Sequence, residues 1–235
     1  YTRIYDQSKV ISYYDDVAAT FTNFAMSGID KVHFGLEAAV SIPIYHTLAL
    51  NGAVSWGQYT YDSNPYYLQT QDNSGDIVSD GYVYWKDFRV ESTPQTAVNV
   101  GLSWRSNNNI YLSADFNYYN NMYLSMSPIY RTDAVITGGM APGDIEHLRR
   151  QEKFDSAYTL NASIGKNWYI HRKYTLGFSL DVKNILNNQD IKTGGYEQTR
   201  LSKNTETTVT TYQAFDSKYF YMFGTTYYLN LYFRF

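Results

Sequence analysis

The 235-residue chain has no cysteine, no surplus of positive charge and no long apolar run. Without a thiol it can hold neither a disulfide framework nor a thiolate metal site, and it has no cysteine nucleophile. A net charge of −3 leaves out the basic face that a nucleic-acid partner needs. No apolar stretch approaches the roughly 20 residues of a membrane-crossing helix, so any membrane segment must be a strand. His33, His46, His147 and His171 fall on different segments, and no two share a strand face at ligand spacing; this argues against a metal site or a histidine-based triad. The oxygen-rich run Asp72-Asn73-Ser74-Gly75-Asp76 lacks the distal glutamate of a helix-loop-helix calcium site and reads as a solvated turn. No serine, histidine and acid converge on one strand face, so neither an enzyme activity nor a cofactor is expected.

What the chain has in quantity is tyrosine, 26 residues of it, and a strict two-residue alternation. In residues 218–235, Tyr219, Tyr221, Phe223, Tyr227, Leu229, Leu231, Phe233 and Phe235 share one parity, while Gly224, Thr226, Asn230 and Arg234 fall on the other. Such a period puts the apolar set on one face of a strand and the polar set on the opposite face. The same split recurs upstream. Tyr174, Leu176, Phe178, Leu180 and Val182 oppose Thr175, Ser179, Asp181 and Lys183; Ile110, Leu112, Ala114 and Phe116 oppose Ser113, Asp115 and Asn117. Segments around residues 158–165, 96–104, 47–57 and 32–42 repeat it, and a stub at residues 1–5 brings the expected number of strands to eight. Each core of about 10 residues, at roughly 3.3 Å per residue and a tilt near 40°, covers about 25 Å, the height of an outer-membrane apolar band.

Connection lengths alternate. Short links are expected at residues 43–46, 105–109 and 169–173, and long polar ones at residues 6–20, 62–93, 122–155 and 187–217. In outer-membrane barrels short turns face the periplasm and long loops face outside. The inward faces carry mostly Gly, Ser, Thr, Asn and Ala, which would fill a narrow eight-stranded barrel poorly and suit a wide one. The fold expected is therefore all-β, a transmembrane antiparallel β-barrel to which residues 1–235 contribute about eight consecutive strands. The opening Tyr1-Thr2-Arg3-Ile4-Tyr5, without a starting Met or signal peptide, reads as a strand already under way, so a fragment is expected.

Three stretches resemble the C-terminal portion of TonB-dependent outer-membrane transporters. Val182-Lys183-Asn184-Ile185-Leu186-Asn187-Asn188 is similar to the family's asparagine-rich motif on the penultimate strand. Gly28-Ile29-Asp30-Lys31-Val32-His33-Phe34-Gly35-Leu36-Glu37 resembles its recurrent strand that enters through Gly and exits through Glu. The terminal strand, with Leu229, Leu231, Phe233 and Phe235, resembles the C-terminal assembly signal of outer-membrane barrels. The resemblance implies a barrel of about 22 strands, of which this chain would be the last third, around an N-terminal plug that is absent here. It also implies a bacterial outer-membrane location, uptake of a scarce solute, and partners: membrane lipid, the plug and remaining strands, a TonB-type energising complex acting through the plug, the barrel assembly machinery and, in some cases, a surface lipoprotein.

Candidate binding residues follow from placement. Tyr66, Tyr67, Tyr82, Tyr84 and Trp85 lie among acids in the 62–93 connection, where exposed rings could stack on a ligand or else pack the loop on itself. Glu37, Asp115, Asp181 and Lys183 face inward and could contact a plug or line a solute path; cross-strand pairing and hydration are the plainer alternative. Gly138-Gly139-Met140-Ala141-Pro142-Gly143 promises mobility, as in part of a lid. The rival functions are a self-contained barrel with an adhesive or structural role and a soluble β-sandwich that binds carbohydrate.

Overall fold

The computed structural model describes residues 1–16, 19–91, 93–138, 142–171, 173–204 and 211–235. It is all-β with antiparallel pairing. Eight long strands follow one another: β1 (Thr2–Asp15), β2 (Thr20–Tyr45), β3 (Leu48–Tyr61), β6 (Thr96–Arg105), β7 (Ile110–Asn120), β8 (Ala157–Ile170), β9 (Tyr174–Lys183) and β14 (Thr226–Arg234). Each pairs with its predecessor in this list, and a hairpin of β4 (Tyr66–Gln71) and β5 (Ile77–Tyr82) joins the sheet beside the distal half of β2. Among the described residues β14 pairs only with β9 and β1 only with β2, so each leaves one edge open and no closed barrel forms. The final strand meets β9 from Thr226↔Lys183 to Arg234↔Thr175, the neighbour expected from the sequence.

Three of the connections are short and lie at one end of the sheet: residues 46–47, 106–109 and 171–173. At the other end the long connections build structure of their own. Residues 121–156 carry a 3-10 turn (Ile129–Arg131) and helices α1 (Asp133–Ile136) and α2 (Pro142–Arg149). Residues 184–225 carry two ribbons, β10 (Lys192–Tyr196) with β13 (Lys218–Tyr221), and β11 (Leu201–Asn204) with β12 (Thr211–Ala214). These pieces and the distal half of β2 enclose the main hydrophobic core, where Phe24, Met26, Tyr67, Val83 and Trp85 are buried with Ile129, Tyr130 and Leu201. We call this assembly the cap and the rest of the sheet the wall.

Three expectations need correction. Residues 6–20 are not a long loop, because β1 runs on to Asp15 and β2 begins at Thr20. Register shifts between Ile4 and Lys9, together with the positive φ of 51° at Asp6, break the alternation that marks a strand. Gly28 does not open its strand. It lies inside β2 with φ +75°, where β2 hands over from β3 (Lys31↔Tyr61) to β4 (Ser27↔Tyr66). There Ser63 repairs the interrupted ladder, its hydroxyl donating to Gly28 O at 2.6 Å and accepting from Asp30 N at 2.7 Å. Lastly, residues 218–235 are not one strand: Lys218–Tyr221 belongs to the cap, and the wall strand starts at Thr226.

Asn184 explains that break. It ends β9 with φ +50° and is 3% exposed. Its Nδ2 donates to Asn188 O at 2.9 Å and to Phe223 O at 3.0 Å, and its carbonyl accepts from Thr225 Oγ1 at 2.8 Å. Asn187 Oδ1 accepts from Thr225 N at 3.1 Å, so the asparagine motif clamps the chain just before β14 begins. Replacing Asn184 by Ala removes the side-chain donor shared by the carbonyls of Asn188 and Phe223 and puts a less tolerant residue at positive φ. We expect a loss of about 1–3 kcal/mol, read as a lower thermal unfolding midpoint. An unchanged midpoint would show that water replaces the side chain without cost.

Candidate functional site: an apolar wall beneath a charged cap

The wall's two faces differ in chemistry across its width. One row of paired residues runs Ile42, Leu50, Leu102, Ala114, Ala162, Val182 and Tyr227 across seven strands. The next runs Leu48, Trp104, Leu112, Ile164, Leu180 and Leu229. Since every pair is in register, the apolar parity of each strand meets the apolar parity of its neighbour. These residues are not buried: Ile42 is 48% exposed, Leu102 46% and Leu229 59%. No second sheet among the described residues covers them, as a β-sandwich would require. Aromatic pairs lie on this face near both ends, Phe34 with Trp56 at 6.1 Å toward the cap, and Trp168 with Phe178 at 6.0 Å and Tyr174 with Phe233 at 5.8 Å toward the short turns. Lys166 is the one charge in its row. Its Nζ reaches the short-turn rim, donating to Asn108 O at 3.3 Å while lying over the Trp168 ring.

The opposite face is polar and knitted by side-chain hydrogen bonds: Ser41 to Asn51 at 2.7 Å, Asn51 to Ser103 at 3.2 Å, Asn99 to Asn117 at 2.9 Å, and Ser113 with Ser163 at 2.8 Å. Tyr111 lies flat over Gly165, leaving no room there for a Cβ. Glu37, Asp115, Asp181 and Lys183 all fall on this face but do not converge. Glu37 accepts from Ser55 at 3.4 Å, Asp115 leans over Gly101, Asp181 sits between Ser163 and Tyr228, and Lys183 is exposed opposite Thr226.

The structure separates the five aromatics of the 62–93 connection. Tyr67 and Trp85, each 1% exposed, are cap core, stacked on Phe24 at 4.5 Å and tilted against Tyr61 at 4.7 Å. Tyr84 is half-buried. Tyr66 and Tyr82 remain on the surface as an edge-on pair with centroids 5.6 Å apart, and Tyr66 donates to Asp80. Of the glycine-rich run read as mobile, residues 139–141 lie outside the described residues. Leu229, Leu231 and Phe233 are exposed on the wall's apolar face, and Phe235 follows them at the chain's end.

Sequence reasoning missed the cap's polar framework. The Arg131 side chain is fully buried and its guanidinium grips Glu197, with Nη2 donating to Oε1 at 2.9 Å. It also donates to Ser127 O at 3.0 Å and Arg150 O at 3.2 Å, joining the 121–156 and 184–225 connections. Burial, and then the Glu197 carboxylate, pushes the Tyr130 phenol up to about 12, so it stays a neutral donor to Arg200 O at 3.0 Å. Beside them Lys192 lies 3.8 Å from the Tyr219 ring centroid and 3.0 Å from Glu152; burial opposes its charge, but the Glu152 hydrogen bond holds it above its ordinary value. An open recess of about 520 Å³ lies here, with Phe215 and Tyr219 offering rings and Lys153, Glu152 and Asp216 offering charges of both signs. The Arg131–Glu197 and Tyr130–Arg200 contacts span 66 and 70 residues, and no local spacing announces them. Among the described residues no three His, Cys, Asp or Glu gather as metal ligands. Comparison with family models, with curated proteins and with solved structures returns no match for this chain.

Proposed function

We propose that this chain is a section of an outer-membrane barrel that takes up a scarce solute, in the manner of TonB-dependent receptors, with the wall in lipid and the cap outside. The observation that carries the reading is the exposed apolar face held in register over seven strands. In water such a surface far exceeds the few hundred Å² that soluble monomers leave open; against lipid it needs no cover. The two open edges support a wider barrel, since unpaired backbone in hydrocarbon costs several kcal/mol per group. Further strands of the same wall, from the same polypeptide, then lie beyond β1 and β14. The polar face lines the interior, where a plug worked by an energising complex would sit, and the cap's recess and the Tyr66–Tyr82 pair form the solute's first contacts. No covalent step is required of any residue.

The test compares cells with and without the protein for accumulation of iron chelates, vitamins, oligosaccharides and peptides, each measured with and without an uncoupler. One solute class should accumulate only in energised cells that carry the protein. Replacing Tyr66 and Tyr82 together by Ala should weaken its capture by about 5- to 150-fold, since each lost stacking contact costs about 0.5–1.5 kcal/mol. Accumulation of no solute, or accumulation indifferent to the uncoupler, would refute active uptake.

A further inference from the structure

We infer that a hollow at the short-turn end of the polar face binds one small oxyanion of the carboxylate type. Its floor is a single cross-strand row of short side chains, Ala49, Ser103, Ser113 and Ser163, so the surface is recessed by about 500 Å³. Arg105 and Tyr111, paired across β6 and β7 one row nearer the turns, form its rim.

The donors outnumber the acceptors. Among the described residues the Arg105 guanidinium has neither a hydrogen-bond nor an ion-pair partner; its backbone N–H donates to Thr47 O at 2.8 Å. Ser103 accepts from Asn51 at 3.2 Å, which leaves its own hydroxyl proton to be given elsewhere. Ser113 and Ser163 are 2.8 Å apart, and whichever of them donates, the other keeps a proton to offer. A cation and spare hydroxyl protons around a recess without a lining acid are the complement of a carboxylate, which is acceptor-only when ionised.

The acids nearby limit the charge that fits. Asp181 faces Ser163 from β9 and Asp115 follows Ser113 two residues along β7, but neither lines the hollow. They bound the donor zone on two sides, so it takes a single anionic group and disfavours a polyanion. The volume leaves room for an organic body behind that group, beside Tyr111. The assignment holds whether or not the wall lies in lipid.

The probe is 4-fluorobenzoate, followed by fluorine NMR on the solubilised native protein, with the neutral 4-fluorobenzamide as control. The benzoate should bind and the benzamide should bind far more weakly. Arg105→Gln, at an exposed rim position, should lower the affinity at least ~10-fold, as expected for loss of a charge-assisted contact. Ser113→Leu should abolish binding by filling the floor, and an unchanged thermal transition of Arg105→Gln shows that the loss is not misfolding. No binding of the benzoate, equal binding of both probes, or an undiminished affinity in Arg105→Gln would overturn the inference.

Discussion

Replacing Glu197 by Ala should loosen the cap by about 3–5 kcal/mol, the usual cost of removing one partner from a buried ion pair. The Arg131 side chain is fully buried, and without Glu197 its charge keeps only the carbonyls of Ser127 and Arg150 and the face of Phe88 at 5.4 Å. The Ser127 N–H, which donates to Glu197 at 2.8 Å, loses its acceptor as well. Because this pair joins the 121–156 and 184–225 connections, faster protease cleavage within them is expected while the wall stays folded. The double variant Arg131→Met with Glu197→Met should recover much of the loss, because it removes the stranded charge along with its partner. Cleavage as slow as in the wild type would mean that the pair holds nothing together.

The second large effect belongs to the wall. Leu102 lies amid the apolar face, flanked by Leu50 and Ala114 and 46% exposed. An arginine there would sit near mid-bilayer at a cost of about 2–4 kcal/mol, whereas the same change at Ser55, on the polar face beside Glu37, should be close to neutral. The folded fraction recovered in membranes should fall for Leu102→Arg and hold for Ser55→Arg. Equal yields from the two would remove the distinction between the faces on which the functional reading depends.

The wall was legible in the sequence because each strand repeats the same local rule. Leu176, Phe178 and Leu180 announce their face without knowledge of any neighbour, and pairing only brings like parity together. What was not legible lies where backbone geometry or long-range pairing decides. The bulges between Ile4 and Lys9 displace the alternation by a residue, so β1 and the β2 hairpin read as loop. Asn184 and Asn187 bend the chain out of line at Phe223, and nothing in the parity of residues 218–235 marks that point. Tyr67 and Trp85 look like Tyr66 and Tyr82 in sequence, yet the hairpin of β4 and β5 turns the first pair into the core and leaves the second outside. Arg131 and Glu197, sixty-six positions apart, form the ion pair that joins the cap's two long connections without any local signal.

The claim that the wall's apolar face meets lipid is tested most directly by brominated-lipid quenching of tryptophan fluorescence. Trp56, Trp104 and Trp168 lie on that face, and Trp85 is 1% exposed in the cap core. In proteoliposomes of the native protein, each is replaced in turn by Phe and the change in quenchable emission is recorded. Loss of Trp56, Trp104 or Trp168 should remove emission that the brominated acyl chains quench, and loss of Trp85 should remove emission that they do not. If Trp85 accounts for as much quenched emission as the other three, or if none of the four is quenched, the apolar face does not meet lipid and the account fails.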